Sequence, residues 1–353
     1  MPRHINIPIF IPHEGCKNSC VFCDQRSITG TKGSASRDIR PEIDKALTTI
    51  SQKDFVEIAF FGGSFTGIDT ELMTRLCDTA FEYVKSGKVN AIRLSTRPDY
   101  INEHILDILR ERGVTDIELG IQSMSERVLQ ASKRGHSPKQ TELACTLIKK
   151  YGFNLVGQMM IGLPCSDISD EIKTAKEIVS LSADGARIYP TVVFKDTELY
   201  RMSLSGKYVP LTLDQAVERS TEVYSIFKDA GIPVLRIGLH SSAELSDASK
   251  VYAGANHPAL GELVMGEYFY RKLLGKIPEI LELTECVRLI NRRIVICIYC
   301  HKSNVSKISG QNGKNKKRLL EILKDKCPSI TDIKILPNSV FSDDKMKISV
   351  QNI

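Results

Sequence analysis

Three cysteines, Cys16, Cys20 and Cys23, lie within eight consecutive positions of the stretch GCKNSCVFCDQRSITG (15–30). Thiolates at CxxxCxxC spacing can bind iron or zinc. Each of the four irons of a [4Fe-4S] cube takes one external ligand, so three cysteines would leave one iron open to a small molecule. Structural zinc would need a fourth ligand, and His13 is the only histidine nearby. The pattern favours a cluster with one open iron, with zinc or unligated core cysteines as alternatives.

The chain has ten cysteines in 353 residues, and most of the others stand singly in apolar surroundings. Such cysteines are typical of buried free thiols, and no disulfide framework is indicated. We therefore expect a reducing, cytoplasmic location. Cys77, Cys145 and Cys165 remain possible fourth ligands of the first cluster. The charge of +6 is mildly basic, and no apolar run is long enough to span a membrane.

Seven strand-like apolar runs alternate with amphipathic helical patterns along most of the chain. The runs cover residues 5–11, 55–61, 90–95, 116–121, 153–161, 185–193 and 232–237. Ser137-Pro138 is typical of a helix start, and Gly87, Gly113, Gly152 and Gly231 follow helix ends. Apolar strands alternating with helices indicate a parallel sheet. The predicted fold class is α/β, with a partial (β/α)6-type parallel barrel.

Polar residues and glycines follow the predicted strands where each strand ends. The cysteine loop follows the first strand, GGSFTG (62–67) the second, STRPD (95–99) the third and GIQS (120–123) ends the fourth. In parallel barrels the active site gathers at this edge of the sheet. Single turns of this composition are ordinary loops, but together they predict one shared pocket.

The cysteine motif, with Phe22 before its last cysteine, resembles that of the radical S-adenosylmethionine (SAM) superfamily, and FFGGSFTG strengthens the resemblance. It extends over residues 5–245. It implies a [4Fe-4S] cluster whose open iron binds SAM, reductive cleavage of SAM to a 5′-deoxyadenosyl radical, and a one-electron reductant such as flavodoxin or ferredoxin.

The resemblance also implies a set of SAM contacts. The glycine turn would meet the amino group through its backbone, and serine stands there where an acid is usual. Ser95 falls at the ribose position, where glutamate is common, and Arg134 would meet the carboxylate. The full set is Gly62, Gly63, Ser64, Ser95, Gln122, Arg134 and Gln158.

Several stretches resemble the radical SAM domain of the catalytic subunit of Elongator, which modifies the wobble uridine of tRNA. They are STRPDYI, ELGIQSMSERVLQASKRGHS, RIYPTVVFKDTELYRMSLSGKYVPLT and IPVLRIGLH. The Elongator cysteine loop is more widely spaced, and no acetyltransferase pattern follows HPALGELV (257–264). The resemblance implies a bacterial relative with the radical SAM part alone.

The predicted domains are a partial barrel at 1–245, a connecting helical segment at 246–285 and a basic α+β unit at 286–353. Residues 286–320 contain nine Lys or Arg and no Asp or Glu. A basic strand and loop before a helix N-terminus can bind a phosphate backbone, although a solvated basic face is equally compatible. The RNA-contact candidates are Arg292, Arg293, Lys314, Lys316, Lys317 and Arg318. The loop GQNG (310–313) resembles the GxxG loop of RNA-binding KH modules, but the predicted order of elements differs.

CIYCH (297–301) matches the attachment pattern of c-type haem. It lies in an alternating strand pattern, where positions three apart face opposite sides of a sheet. We expect neither haem nor a second cluster from Cys286, Cys297, Cys300 and Cys327.

We expect a radical SAM enzyme that acts on RNA, either tRNA or rRNA. One alternative is a coproporphyrinogen-dehydrogenase-like enzyme with a small-molecule substrate. Another is a non-catalytic iron–sulfur protein that binds RNA or the ribosome. Substrate-contact candidates are Tyr189, Lys195, Tyr200 and His240.

Overall fold

The computed structural model of the protein falls into two compact units, Met1–Pro258 and Ala259–Ile353, which are described separately. The structure describes residues 3–11, 16, 20–23, 38–51, 53–239, 249–285, 293–342 and 344–352. His13, His240, Cys286 and Arg292 lie outside the described residues. Within those ranges, no helix is both long enough and apolar enough to cross a membrane.

The first unit is built on a parallel sheet of seven strands in the order β1-β2-β3-β4-β5-β6-β8. These strands are β1 (His4–Ile11), β2 (Phe55–Gly62), β3 (Ala91–Thr96), β4 (Val114–Gln122), β5 (Asn154–Ile161), β6 (Gly185–Pro190) and β8 (Val234–Ile237). The sheet curls into a half-barrel, which confirms the predicted fold class. All seven predicted runs form strands, one strand more than a (β/α)6 barrel has.

Helices follow most of these strands and pack their apolar faces on the sheet. They are α1 (Arg40–Leu47), α2 (Thr70–Lys85), α3 (Glu103–Glu111), α4 (Glu126–Ala131), α5 (Pro138–Lys150), α6 (Ile168–Ser180), α7 (Glu198–Leu204) and α8 (Leu213–Asp229). The predicted start of α5 is confirmed, because the Ser137 hydroxyl accepts from the Gln140 N–H in a capping box.

Two of the possible fourth cluster ligands lie inside helices. Cys77 is on α2 and Cys145 is on α5, and both are fully buried. Burial raises the pKa of each thiol to about 12. Because metals bind the thiolate, neither side chain is suited to the role. Cys165 is exposed.

The predicted strand 185–193 is broken in two at Thr191. The Thr191 N–H and hydroxyl both donate to the carbonyl of Ile161, at 2.9 and 2.8 Å. Pro190 before it has no N–H to donate to a neighbouring strand. The chain then leaves the parallel sheet as β7 (Val192–Phe194), which pairs antiparallel with β9 (Val251–Gly254).

Within its described residues, the second unit contains a three-stranded sheet in the order β11-β10-β12 and four α-helices. Its elements are α9 (Leu260–Gly275), α10 (Ile277–Glu285), β10 (Ile294–Cys300), α11 (Val305–Ser309), α12 (Lys314–Lys326), β11 (Ile330–Pro337) and β12 (Met346–Asn352). The central strand β10 runs parallel to β11 and antiparallel to β12.

Cys297 and Cys300 both lie on β10 and are fully buried. Burial raises the pKa of both thiols above its ordinary value. Their surroundings are therefore those of core residues, and haem attachment or metal binding would require the strand to open.

Candidate active site

The cysteine loop meets arginine side chains at the edge of the half-barrel. Cys20 is buried, whereas Cys16 and Cys23 are partly exposed. The Cys20 Sγ lies 3.5 Å from Nη1 of Arg134 and 4.0 Å from Nη1 of Arg97. Two guanidinium groups therefore face the Cys20 sulfur. The strand-end pocket predicted from the sequence thus brings Cys20 and Arg134 together.

The cysteine loop is tied to two distant segments through its backbone. The Val21 N–H donates to the carbonyl of Ser132 at 3.2 Å, and its carbonyl accepts from the Leu199 N–H at 2.8 Å. The Val21 side chain is buried in an apolar cluster with Leu199 and Tyr208. These contacts hold the segment between Cys20 and Cys23 against the C-terminal end of α4 and the first turn of α7.

The donor set suits an iron–sulfur cluster. Among the described residues, no three Cys, His, Asp or Glu side chains gather closely enough to hold one metal ion. A cube does not require that, because its thiolates attach one to each iron. Three cysteines that each attach to a different iron agree with this arrangement better than with a single zinc ion, which needs four ligands around one centre.

The glycine turn after β2 lies beside the first cysteine. Gly62 has a φ of +111°, and a Cβ there would lie 2.9 Å from the carbonyl oxygen of Ile11. The Gly63 N–H donates to that same carbonyl at 2.8 Å. The turn therefore requires glycine. It places the buried Ser64 hydroxyl 3.1 Å from the Cys16 Sγ.

Gln122 and Arg134 meet at the end of β4, where the sheet register shifts between Gly120 and Gln122. Nη2 of Arg134 donates to the Gly120 carbonyl at 2.7 Å. A Cβ on Gly120 would lie 2.6 Å from that Nη2 and 3.0 Å from Nε2 of Gln122. Only a residue without a side chain leaves room for both groups.

Several buried polar atoms at this point have no hydrogen-bond partner among the described residues. They are Oε1 of Gln122, Nε of Arg134 and Nδ1 of His136. A buried polar atom left unpaired costs about 1–3 kcal/mol. Orphaned donors and an acceptor beside Cys20 fit a site that is completed by a polar ligand, as the predicted SAM contacts require.

Sequence reasoning missed Arg97 and His136. Nη2 of Arg97 donates to the Arg134 carbonyl at 2.6 Å, and Nε pairs with Asp99 at 2.9 Å. Arg97 is 2% exposed, so it braces the Arg134 loop from inside the protein. The only sequence signal was its position in STRPD at a predicted strand end.

His136 gives the site a pH-dependent stability. Burial, with Arg134 and Arg97 nearby, lowers the pKa of His136 from 6.5 to about 3. The unfolded chain binds a proton as the pH falls below 6.5, whereas the folded chain does not until about 3. The neutral imidazole therefore stabilises the fold fully above the unfolded pKa, and this stabilisation is lost as the pH falls through that window.

At about pH 5 the free energy of unfolding that His136 contributes is lower by about 2 kcal/mol than at about pH 7. His136→Gln, which cannot titrate, is expected to lose less free energy of unfolding than the wild type between about pH 7 and about pH 5. Urea unfolding at both pH values measures the difference. Equal losses in the two proteins would contradict this account.

Ser95, the predicted ribose contact, and Gln158, which the resemblance places near the ribose or adenine, converge on Glu118. Nε2 of Gln158 donates to Oε2 of Glu118 at 2.8 Å, and the Ser95 hydroxyl donates to the same oxygen at 3.3 Å. The sequence analysis did not select Glu118. Its carboxylate is 1% exposed and fixes the orientation of both side chains.

Glu118 belongs to a buried ionic network on the inner face of the sheet. Its Oε1 accepts from Arg93 at 3.2 Å and from Arg187 at 2.7 Å. Arg93 also pairs with Glu57 and Asp116, each at 3.0 Å. Three carboxylates and two guanidiniums are thus removed from water together. Buried charges persist only when paired in this way.

The substrate-contact candidates are divided between different parts of the first unit. Tyr189 is beside Arg187, and burial raises its pKa above the ordinary value. Tyr200 packs against the cluster that holds Val21 and lies 4.9 Å from the ring of Tyr252. The Lys195 N–H donates to the carbonyl of Lys250. Tyr200 thus contacts the surroundings of the cysteine loop.

Comparison with known families matches residues 10–178 to the radical SAM superfamily and residues 183–269 to the radical SAM C-terminal domain. The chain is 29% identical over 251 residues to a tRNA uridine(34) acetyltransferase of Methanocaldococcus infernus, covering 60% of this chain and 46% of that protein. It is 30% identical over 273 residues to Elongator complex protein 3 of Homo sapiens, covering 63% and 50%. The chain thus spans about half the length of these relatives.

An uncharacterized protein of Methanocaldococcus jannaschii is 30% identical over 222 residues, covering 60% of this chain and 67% of that protein. Among solved structures, the archaeal Elp3 of Methanocaldococcus infernus has a TM-score of 0.60 at 24% identity, covering 77% of this chain and 64% of that one. That likeness concerns the fold. The chain belongs to the radical SAM superfamily, as an enzyme of that type homologous to Elongator complex protein 3, and this membership implies a [4Fe-4S] cluster and SAM as its cofactors.

Proposed function

We propose that this protein is a radical SAM enzyme that modifies RNA, with tRNA as the favoured substrate class. The observation that carries the chemistry is Cys20 facing Arg134 and Arg97, with unpaired buried atoms alongside. The relatives named above as tRNA uridine(34) acetyltransferase and Elongator complex protein 3 support the substrate class. rRNA remains the second member of that class, and a reducing, cytoplasmic setting is part of the proposal.

When bound, the cluster and SAM supply reductive cleavage to a 5′-deoxyadenosyl radical, with flavodoxin or ferredoxin as the proposed electron source. Cys16, Cys20 and Cys23 would hold the cluster. The turn of Gly62, Gly63 and Ser64 would present backbone to the amino group of SAM.

The remaining contacts would orient the rest of the SAM molecule. The unpaired Nε–H of Arg134 would donate to its carboxylate, and the unpaired Oε1 of Gln122 would accept a hydrogen bond from another part of the SAM molecule. Ser95 would face its ribose and Gln158 its ribose or adenine, both held by Glu118. A residue so held keeps its rotamer before the ligand arrives, which reduces the cost of binding.

Arg134→Ala is expected to weaken SAM binding by about 1.5–3 kcal/mol, the range for a hydrogen bond to a charged group. Equilibrium dialysis with oxidised, cluster-loaded protein, which does not cleave SAM, measures the affinity. The matched control is Arg127→Ala, because the Arg127 side chain is 60% exposed and pairs with Asp170 on the surface. Unchanged SAM affinity in Arg134→Ala would return Arg134 to a purely structural role.

The substrate proposal is tested by mass spectrometry of nucleosides from total RNA, with and without the gene. A modified nucleoside that disappears identifies the modification, and the same measurement on separated tRNA and rRNA identifies the RNA. If no nucleoside changes while the protein still forms 5′-deoxyadenosine with dithionite, a small-molecule radical enzyme is indicated. Absence of 5′-deoxyadenosine would favour a non-catalytic iron–sulfur protein.

A further inference from the structure

The second unit has an arrangement of elements that the sequence analysis did not identify. A five-residue helix, α11, lies between β10 and the GQNG loop. The chain therefore runs strand, helix, GxxG loop, helix, strand. The two flanking strands, β10 and β11, are parallel neighbours in the sheet. The predicted order lacked α11, and for that reason it differed from a KH module.

The GQNG loop is fixed and open. Gly310 has a φ of +74°, and a Cβ there would lie 2.7 Å from the side chain of Asn315. Asn315 is buried, and its Nδ2 donates to the carbonyls of Gly266 and Lys307 at 2.8 and 3.3 Å. Gly313, at a φ of +72°, has no atom within 4 Å of a Cβ position. Asn315 thus packs closely against the loop backbone at Gly310, and the backbone at Gly313 has free space beside it.

The surface around the loop is strongly positive. Residues 293–320 contain no Asp or Glu. Within the described part of the chain, four lysines there have no carboxylate at ion-pair distance: Lys302, Lys307, Lys314 and Lys317. By contrast, Lys316 pairs with Asp332 at 2.9 Å, and Arg318 pairs with Glu267 at 3.1 Å and stacks on Tyr270.

We propose that residues 310–313, between α11 and α12, clamp the sugar–phosphate backbone of single-stranded RNA. A GxxG loop between two helices is the backbone clamp of KH modules and spans about four nucleotides. The unpaired lysines supply the complementary charge. The positive end of α12, a helix of 13 residues, points the same way. The inference rests on the proposed function, since it names where the RNA would be held.

The test is binding of a fluorescent single-stranded RNA to the full chain, measured by anisotropy over a series of salt concentrations. For about four phosphates, the slope of log K against log salt is expected to be about −3. Gln311→Asp with Asn312→Asp should lower the affinity at least about tenfold, because two carboxylates would face the phosphates. Both side chains are exposed, so the fold should tolerate the change.

Two further variants lower the net charge equally. Lys314 and Lys317 follow the loop directly, and changing both to Gln should reduce the affinity for RNA and the slope of log K against log salt. Lys324→Gln with Lys326→Gln changes exposed residues about 15 Å along α12 and should alter affinity less than about threefold. The proposal is overturned if the variant with Gln311→Asp and Asn312→Asp binds RNA like the wild type. It is also overturned if the variant with Lys324→Gln and Lys326→Gln loses as much affinity as the variant beside the loop, or if duplex RNA binds as well as single-stranded RNA.

The radical chemistry is separable from this test. Deoxyadenosine formation without RNA should be the same in all three variants, because it depends on the first unit. If the wild type also forms no deoxyadenosine, the proposed enzyme is refuted and the RNA clamp is unaffected. If the wild type forms deoxyadenosine but does not bind RNA, only the clamp is refuted.

Discussion

Replacing Cys20 by alanine is expected to abolish both the iron content and the visible absorption of the anaerobically prepared protein. Three thiolates must each hold one iron, and Cys20 is the one that two guanidiniums face, at 3.5 and 4.0 Å. The wild type should carry about four irons per chain, as one cube contains. Cys16→Ala and Cys23→Ala should behave in the same way.

Cys297→Ala and Cys300→Ala are the matched controls. Both thiols are buried in β10 of the second unit, where burial raises their pKa. Iron per folded chain should be unchanged in either variant. If iron followed these two cysteines instead of the first three, the cluster assignment would be wrong.

Arg93→Met is expected to lower the free energy of unfolding by about 3–5 kcal/mol, the usual cost of removing one partner from a buried ion pair. Arg93 pairs with Glu57, Asp116 and Glu118, and its side chain is 5% exposed. The substitution leaves three buried carboxylates with Arg187 as their remaining guanidinium in the network. Urea unfolding of the two proteins measures the effect.

Arg110→Met provides the comparison on the surface. Arg110 pairs with Asp107, and the two side chains are 59% and 47% exposed. Loss of this pair should lower the free energy of unfolding by less than about 1 kcal/mol.

Adding Glu57→Gln to Arg93→Met should recover part of the lost stability, because one buried charge is removed with its partner. Equal effects of the two single substitutions would refute the ionic account of the barrel interior.

The sheet and the cysteine site could be predicted because their signals are local. Apolar runs marked the strands of the parallel sheet, and the spacing of Cys16, Cys20 and Cys23 pointed to a cluster. Pro190 was a sequence signal for the break at Thr191, but the hydrogen bond from Thr191 to Ile161 across the sheet was not visible.

The side chains that support the site were missed for a related reason. Glu118, Arg97 and His136 have no distinctive spacing, and each acquires its role from contacts with other strands and loops. The RNA-contact residues illustrate the same limit. Nothing near Lys316 or Arg318 in the sequence indicates that Asp332 and Glu267 pair with them.

The order of the main sheet has a consequence for biosynthesis. Its strands join in the order in which the ribosome makes them, so each βα unit can dock on the one before it. The cysteine loop emerges after the first strand, yet Val21 finds its backbone partners only at Ser132 and Leu199. This support for the loop is therefore incomplete until residue 199 has been synthesised. We expect the cluster to be inserted after that point, as a late step of maturation.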